Sequence, residues 1–498
     1  MSNSVSVLRT ALQGAAAPLA QHARGAFCAC HCANPVARLL HQRVMASLSR
    51  RAFLGGMSAA MLAFVGLGKG ESFAAQPEAP DRPLLLTNLR LFDGVSGQLR
   101  DGVQVLVKGN RIVDVLAAGE QVADARLIDC GGRVVMPGLI DVHWHSMLCG
   151  LTAIQALTAD LGYVYLVAAR EAERTLLRGF TSIRDAGGPA FALKRAIDEG
   201  IVTGPRIFPS GAMISQTAGH GDFRLRHEIP RTSSSEMSRA EALGVTIIAD
   251  GSDEVLRRVR EQLLLGASQI KLMAGGGVTS FYDPLDTIQY TEAELRTAVQ
   301  AAQDWGTYVM VHVYQSAGIE RALRAGVRCI EHGQLADEKA ARSIADAGAW
   351  WSLQPFFGDE DANPKPDPQA RLAQMEVAEG TVRAYELAKR FNIRTAWGTD
   401  ILFSPQSLHT QGKQLAKLTR FYDPLELLQM ATARNGELLA MAGARNPYPG
   451  ALGVIAAGAM ADLLVVDGDP ARSLDFLADP DTNLRLIMKD GRIYKDTL

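Results

Sequence analysis

The chain has 498 residues, of which 47% are hydrophobic and 21% are charged, an ordinary composition for a folded globular protein. Its 51 lysines and arginines nearly balance 53 aspartates and glutamates, and no basic stripe stands out, which argues against a nucleic-acid partner. The length suits one large domain and a smaller one.

The first 74 residues have the features of an export signal behind an extension. The Ser-Arg-Arg at 49–51 is typical of twin-arginine signals, and a mildly apolar run follows over 54–68. That run is too short and too rich in glycine for a stable membrane span, and small residues up to Ala74 suit a signal peptidase. We therefore expect a periplasmic or secreted protein with an upstream extension over 1–44 and a twin-arginine signal peptide over 45–74.

The six cysteines fall into two groups. Three of them surround His31 in the excluded segment, at a spacing that fits no common zinc site. The other three lie in apolar surroundings, and their odd number argues against a disulfide framework. We predict that these three are buried free thiols: Cys130, Cys149 and Cys329.

Both ends of the remaining chain have the pattern of short strands. The runs Val103–Val107 and Arg111–Val115 are rich in β-forming residues, and Asp-Gly and Gly-Asn turns separate them. The same pattern returns at Ala461–Asp467 and around the Asp-Gly turn at 490–491. We predict that the two ends pair into one small β-sandwich: residues 75–137 and 448–498.

Between the two ends, strand-like and helix-like segments alternate. Eight such strands predict an α/β fold, a TIM (β/α)8 barrel over residues 138–447. The alternative is an open doubly wound sheet, which would lack the ring of polar residues described next. The predicted strands are Leu139–His145, Thr181–Asp185, Arg206–Ser210, Gln269–Met273, Tyr308–His312, Cys329–His332, Trp350–Leu353 and Arg394–Asp400. The predicted helices are Glu171–Arg178, Glu254–Leu265, Glu292–Asp304, Gly318–Ala325, Glu338–Ala347 and Val377–Arg390.

Several of these strands carry a chemically capable residue near the carboxyl end, where barrel enzymes place their active sites. The first strand ends in His143-Trp144-His145, and alternation along a strand turns both imidazoles toward one face. Imidazole and carboxylate are ligands that suit zinc or a similar metal. Five strands together supply four histidines, a lysine and an aspartate: His143, His145, Lys271, His312, His332 and Asp400.

Six ligands exceed the needs of one tetrahedral ion, so a second ion fits if one ligand bridges. Lys271 is the unusual member, because an ammonium repels metal ions. A desolvated lysine has a lowered pKa, and its neutral amine can add carbon dioxide to give a carbamate, an anionic bridge. Each of these residues alone is more often structural, and their occurrence together in strand order indicates a metal centre.

These motifs resemble those of the amidohydrolase superfamily. The run Pro137–His145 resembles its first-strand motif, and Gln269–Met273 with Gly275–Val278 resembles the fourth-strand motif of prolidase-like members, where the lysine is carboxylated. The nearest branch includes Xaa-Pro and Xaa-Arg dipeptidases and ochratoxin-hydrolysing amidohydrolases, and it is related to imidazolonepropionases. The fifth, sixth and eighth strands also match: Val311–Tyr314, Ile330–Gly333 and Gly398–Asp400.

The resemblance implies a set of ligands and a mechanism. Two divalent ions, zinc by preference, would lower the pKa of a bridging water and give hydroxide near neutral pH. Asp400 would accept the proton of that hydroxide and pass it to the leaving amine. The first ion would be held by His143, His145 and Asp400, and the second by His312 and His332, with carboxylated Lys271 as the bridge.

Substrate contacts carry weaker signals. His220, in a Gly-His-Gly-Asp loop after the third strand, is predicted to contact the oxyanion or the substrate, against a role in structuring the loop. Tyr314 resembles a residue that binds a substrate's terminal carboxylate. Arg184 could pair with a carboxylate or brace the barrel, and these alternatives stay open.

We expect a small-molecule enzyme that hydrolyses an amide joined to a free-carboxylate amino acid, as in dipeptides, N-acyl amino acids or ochratoxin-like amides. The alternative is a cyclic-amide hydrolase or deaminase of the imidazolonepropionase type. Those relatives usually bind one metal and lack the fourth-strand lysine, so Lys271 argues against this alternative. The complete ligand set argues against a scaffold without metals, and relatives imply a homo-oligomer, for which an octamer is one arrangement.

Overall fold

The computed structural model describes residues 82–230, 235–280, 282–362, 364–365 and 367–498. The predicted extension, signal peptide and first cysteine group lie outside these residues. In the described ranges, no helix combines the length and the apolar character that a membrane crossing requires.

The described chain alternates between β-rich ends and a mixed centre. Its strands are β1 Leu84–Phe92, β2 Leu99–Lys108, β3 Arg111–Ala117, β4 Arg126–Asp129, β5 Val134–Pro137, β6 Leu139–Trp144, β7 Phe180–Asp185, β8 Arg206–Pro209, β9 Met213–Ser215, β10 Thr246–Ile248, β11 Ile270–Met273, β12 Val309–Gln315, β13 Cys329–Leu335, β14 Trp350–Leu353, β15 Arg394–Trp397, β16 Leu463–Val466, β17 Leu484–Lys489 and β18 Arg492–Asp496. Its α-helices are α1 Ala153–Thr158, α2 Leu161–Leu177, α3 Phe191–Asp198, α4 Arg239–Ala242, α5 Ser252–Leu265, α6 Glu292–Asp304, α7 Ser316–Arg324, α8 Glu338–Asp346, α9 Pro368–Arg390, α10 Gln411–Ala416, α11 Pro424–Gln429, α12 Asn435–Ala440 and α13 Pro480–Asn483.

The two β-rich ends form one eight-stranded sheet, here called the end sheet, in the order β18-β17-β16-β5-β1-β2-β3 with β4 beside β1. Its junction is β5, which runs parallel to β1 and antiparallel to β16. Residues from both ends, among them Leu86, Val105 and Leu463, pack into one apolar cluster that holds the ends together. The predicted pairing of the ends is therefore observed, whereas a two-layered β-sandwich stays a prediction.

In the centre of the chain, all of the described strand pairings are parallel. Strands β6, β7 and β8 form one sheet, and a second follows the order β10-β9-β11-β12-β13-β14-β15. The two sheets meet at two places: the Ser268 N–H donates to the Pro209 carbonyl, and the Asp400 N–H donates to the His143 carbonyl. The α/β class is confirmed, while closure into a (β/α)8 barrel stays a prediction because the described ladders stop at these two places.

All eight strands predicted for the centre are observed, with somewhat different ends. The last predicted strand ends at Trp397 rather than at Asp400. Gly398 passes close to strand β6, where a Cβ on residue 398 would lie 2.5 Å from the backbone nitrogen of His143. Asp400 adopts a φ of 53°. This turn ends the strand and directs the Asp400 side chain toward the histidines.

Other differences have local causes. Strands β9 and β10 were not predicted, because three residues are too few to show an alternating pattern. Helix α9 begins at Pro368 rather than at Val377, since the Asp367 carboxylate accepts from the Ala370 N–H and caps a proline-initiated first turn. The three predicted free thiols are confirmed as free and buried: Cys130, Cys149 and Cys329.

Candidate metal centre and active site

The central strands bring the predicted metal ligands to one end of the sheet. Ligand atoms of His143, His332 and Asp400 lie within 4.8 Å of one another, which makes these three a candidate metal site. His145 adjoins them, with its Nε2 3.1 Å from Asp400 Oδ1. His143 lies on β6, His332 on β13 and Asp400 in the turn after β15, as the predicted strand order requires.

The two remaining predicted ligands lie in the same cluster. The His312 ring, on β12, has its centroid 4.5 Å from that of His332. Lys271, on β11, is buried with its Nζ 3.5 Å from His143 Nε2. All six predicted ligands are thus neighbours, and we call them the ligand cluster.

One ring nitrogen of each histidine in the cluster is fixed by an oxygen that accepts its hydrogen bond. This arrangement selects the tautomer and leaves the other nitrogen with a lone pair for a metal. The donor set therefore fits divalent metal ions on its own geometry. The four pairs are His143 Nδ1 with Glu331 at 2.7 Å, His145 Nδ1 with the Gly187 carbonyl at 3.0 Å, His312 Nε2 with the Gly276 carbonyl at 3.1 Å, and His332 Nδ1 with Gln354 at 2.7 Å.

Three of the four histidines in the ligand cluster are held in the neutral state that metals require. The exception is His145, whose pKa burial would lower but the hydrogen bond to Asp400 raises. Burial lowers the pKa of His143 to about 4 and holds the pKa values of His312 and His332 well below the ordinary value. The three imidazoles are therefore neutral near pH 7, the form that binds metals. Burial also lowers the pKa of Lys271 to about 8, in agreement with the desolvation expected from the sequence.

Asp400 is held as a carboxylate. Burial would raise its pKa, but the nearby His143 ring and the hydrogen bond with His145 hold the pKa well below its usual range. The backbone φ values of Asp400 and His332, 53° and 71°, are uncommon for residues with side chains. Such strain typically costs about 1–3 kcal/mol per residue and is concentrated at functional sites.

Glu331 is a functional residue that the sequence interpretation missed. It is fully buried, and its carboxylate accepts hydrogen bonds from His143 Nδ1 at 2.7 Å and from Arg184 Nη2 at 2.6 Å. Burial would raise its pKa, but the Arg184 charge holds that pKa well below the usual value. An acidic and a basic residue in two strands predicted to be buried were the available signal, because buried charges need each other.

Arg184 is also fully buried. Its guanidinium donates to the Val142 carbonyl at 2.6 Å, to the Tyr308 hydroxyl at 3.0 Å and to Glu331. A role for Arg184 in bracing the strands requires partners of this kind within the protein. Contact between Arg184 and a substrate carboxylate stays a prediction.

Glu331→Gln should weaken metal binding by about 10- to 100-fold, the usual cost of removing a group that orients a ligand. The amide nitrogen cannot accept the hydrogen bond from Arg184 or from His143, so one buried donor loses its partner. We expect the free energy of unfolding to fall by about 3–5 kcal/mol, because the Arg184 charge is left uncompensated. Metal titration and denaturant unfolding measure the two effects.

The matched control is Glu320→Gln, which removes a surface ion pair with the exposed Lys339. That pair should contribute about 1 kcal/mol or less. If Glu331→Gln binds metal as tightly as the control does, Glu331 does not position His143.

An open cavity of about 160 Å³ lies over the ligand cluster, with His312 and Asp400 in its wall. His220 lines it and stacks on His312, with ring centroids 3.9 Å apart and planes 10° from parallel. A Cβ on Gly277 would lie 1.9 Å from the His220 ring, so glycine is required beneath it. Sequence and structure therefore both bring His220 to the metal centre.

His220, on a loop, and Tyr314, on strand β12, are held in different ways. His220 Nδ1 lies 3.1 Å from Ser280 Oγ and 3.3 Å from Asp283 Oδ2, and these partners fix the ring's orientation. The Tyr314 ring stacks on His332 at 5.2 Å. Burial holds the pKa of Tyr314 well above its ordinary value, so its hydroxyl stays protonated and can donate.

The sequence and the fold were compared with known proteins. Ochratoxinase of Aspergillus niger is 30% identical over 380 residues, which cover 73% of this chain and 76% of that protein. A prolidase solved with N-methylphosphonate-L-proline is 33% identical, with a TM-score of 0.75 over 83% of this chain and all of the other. A Xaa-Pro dipeptidase with methionine bound in its active site is 27% identical, with a TM-score of 0.72 and the same coverage.

The family profile described as "Amidohydrolase family" matches residues 134–494, which span the central strands and the C-terminal part of the end sheet. The match includes every residue of the ligand cluster. The resemblance inferred from the strand-end motifs is thereby confirmed. The chain belongs to the amidohydrolase family, and it is a hydrolase that acts on amide bonds.

Proposed function

We propose that this enzyme hydrolyses the amide bond between an acyl group and an amino acid that has a free carboxylate. Dipeptides, N-acyl amino acids and ochratoxin-like amides belong to this class. The observation that carries the proposal is the ligand cluster itself, which combines neutral imidazoles, an ionised Asp400 and a lysine of lowered pKa beneath one open cavity.

The ligand cluster would hold two divalent ions, zinc by preference, with Lys271 as a carbamate between them. Such ions would lower the pKa of a bound water, so that hydroxide is available near neutral pH, and would polarise the scissile carbonyl. His143, His145 and Asp400 would hold the first ion, and His312 and His332 the second. We also propose that the central strands close into a (β/α)8 barrel beside a β-sandwich, which would place these ligands at the barrel mouth.

The residues at the ligand cluster and in the cavity wall have separate roles in the proposed reaction. Asp400 accepts a proton during attack on the carbonyl and delivers it to the leaving amine. His220, stacked on His312 at the cavity wall, donates to the developing oxyanion or to the substrate carbonyl. Tyr314 offers a protonated hydroxyl to the carboxylate of the substrate.

The similar proteins support this substrate class. The prolidase and dipeptidase structures hold an L-proline phosphonate and a methionine, and both of these molecules carry an amino-acid carboxylate. The cyclic-amide alternative does not involve an amide joined to a separate amino acid. It also leaves no role for Lys271 in the ligand cluster, since one ion needs no bridge.

The test is a hydrolysis screen over dipeptides and N-acyl amino acids, joined to metal analysis of the purified protein. We expect two ions per chain and release of a free amino acid. One ion per chain, with activity on cyclic amides alone, would establish the alternative instead.

We further propose export through the twin-arginine route to the periplasm or medium. Replacing Arg50 and Arg51 together with lysine should leave unprocessed precursor inside the cell, because that route requires the arginine pair. Immunoblots of cell fractions measure this, with Arg43→Lys as the control outside the pair. Normal processing of the double variant would exclude this route.

The proposed quaternary structure is a homo-oligomer, of which an octamer is one arrangement. Light scattering on the metal-loaded protein gives its mass directly. A mass equal to one chain at all concentrations would exclude it.

A further inference from the structure

The wall of the cavity over the ligand cluster is largely apolar, with one cation. Its apolar part includes Phe356, Phe357, Val377 and Leu402. Lys365 is the only lysine or arginine among the described residues that line this cavity. It lies in the segment between β14 and α9, to which the sequence analysis assigned no function.

The Lys365 ammonium has no partner among the residues that the structure describes, whereas its backbone N–H donates to Gln374 Oε1. Its side chain is half-buried, and no described residue forms an ion pair or hydrogen bond with its ammonium. Burial lowers its pKa, and the only charge that opposes this shift is that of Asp400. An ammonium that is partly removed from water without an anion is unfavourable, so the group is poised for an anionic ligand.

Other lysines at the same rim are already neutralised. Lys413 and Lys417 contact Asp361 at 2.8 Å and 2.5 Å, and Lys417 also contacts Asp359 at 2.8 Å. These pairs occupy two acidic side chains, Asp359 and Asp361, that also line the cavity. The rim therefore leaves one free cation, within the described residues, directed at the cavity.

The donors in the cavity wall differ in charge. Tyr314 can donate a hydrogen bond to a substrate carboxylate but carries no charge. Lys365 is a charged donor in the wall of the same cavity. A charged donor binds a carboxylate more strongly than a neutral one, so Lys365 is the stronger candidate for this contact.

We propose that Lys365 binds the free carboxylate of the substrate, and that the apolar wall receives a bulky apolar group, which makes N-acyl amino acids of apolar character the substrate class. This inference rests on the proposed function and adds a specificity-determining residue to it. Hydrolysis of the amide itself needs no step from Lys365. Its contribution is to the affinity for carboxylate-bearing substrates.

The test uses N-benzoyl-L-phenylalanine and its C-terminal amide, with release of the free α-amino group as the readout. Wild-type enzyme should prefer the carboxylate. Lys365→Met should lower the ratio of the two kcat/KM values by about 10- to 100-fold, mainly through KM, as expected for loss of a charged hydrogen bond. Lys365→Arg should keep most of the preference because the charge remains.

Lys339→Met is the matched control, since Lys339 is exposed and pairs with Glu320 on the surface. It should leave the ratio unchanged. An unchanged ratio in Lys365→Met, or equal losses on both substrates, would overturn the assignment, because a merely structural role would affect both substrates alike. Metal content and thermal unfolding of each variant confirm that the centre is intact.

A binding experiment separates this inference from the proposed function. If wild-type enzyme hydrolyses neither benzoyl substrate, calorimetric titration of the metal-loaded protein with L-phenylalanine still tests Lys365. Saturable binding that weakens about 10-fold or more in Lys365→Met supports the carboxylate site. Equal binding by both proteins, or no binding by wild type, contradicts it.

Discussion

Asp400→Asn should lower kcat by at least ~10²-fold, the usual contribution of a positioned acid–base group. Asparagine keeps the shape of the side chain but cannot accept a proton and is a weaker metal ligand. The fold should be retained, because the turn is held by the Asp400 backbone N–H on the His143 carbonyl rather than by the carboxylate. Steady-state kinetics and circular dichroism measure the two effects.

The control for this variant is Asp337→Asn. Asp337 caps helix α8 through the Ala340 N–H, and asparagine caps helices about as well. Its kcat should therefore match that of the wild type. Near-native turnover by Asp400→Asn would remove Asp400 from the proposed proton transfer.

Lys271→Ala should lose bound metal and activity together. An unmodified ammonium among the metal ligands would repel two dications, and burying it unpaired costs several kcal/mol. A carbamate reverses the sign of the charge and bridges both ions. A short carboxylic acid in the buffer should restore part of both losses, because it supplies the anionic bridge that the side chain no longer provides.

Lys271→Arg should fail in the same way, since guanidinium stays charged and forms no carbamate. Lys489→Met is the matched control. Lys489, at the end of strand β17 in the end sheet, is also buried with a pKa lowered to about 8 by burial, but it donates to the Gly204 carbonyl. The Lys489→Met variant should keep its bound metal and its activity. A crystal structure that showed a bare amine at Lys271, two ions and full activity would refute the carbamate.

The strands and ligands that the sequence predicted share a local signal. Apolar runs such as Trp350–Leu353 indicate buried strands without any knowledge of their partners. A histidine or lysine at a fixed position in such a run is unusual by itself, as His143 and Lys271 illustrate. Since parallel strands end at one edge of a sheet, strand order alone was enough to group the ligands.

The features that the sequence did not predict depend on contacts between distant segments. Glu331 acquires its function from Arg184, which is far away in the chain and adjacent only after folding. Lys365 lies in a connecting segment with no periodic pattern, so nothing in its neighbours indicates a cavity wall. The turn at Asp400 depends on the close approach of Gly398 to His143, which no local propensity encodes.

The end sheet determines when during synthesis the protein can finish folding. Strand β5 leaves the ribosome before all the central strands, but its antiparallel partner β16 leaves after all of them. Until then one edge of β5 presents unpaired N–H and C=O groups, and such edges pair readily with other chains. Translation that stops before Leu463 should therefore yield an aggregation-prone chain rather than a shorter enzyme.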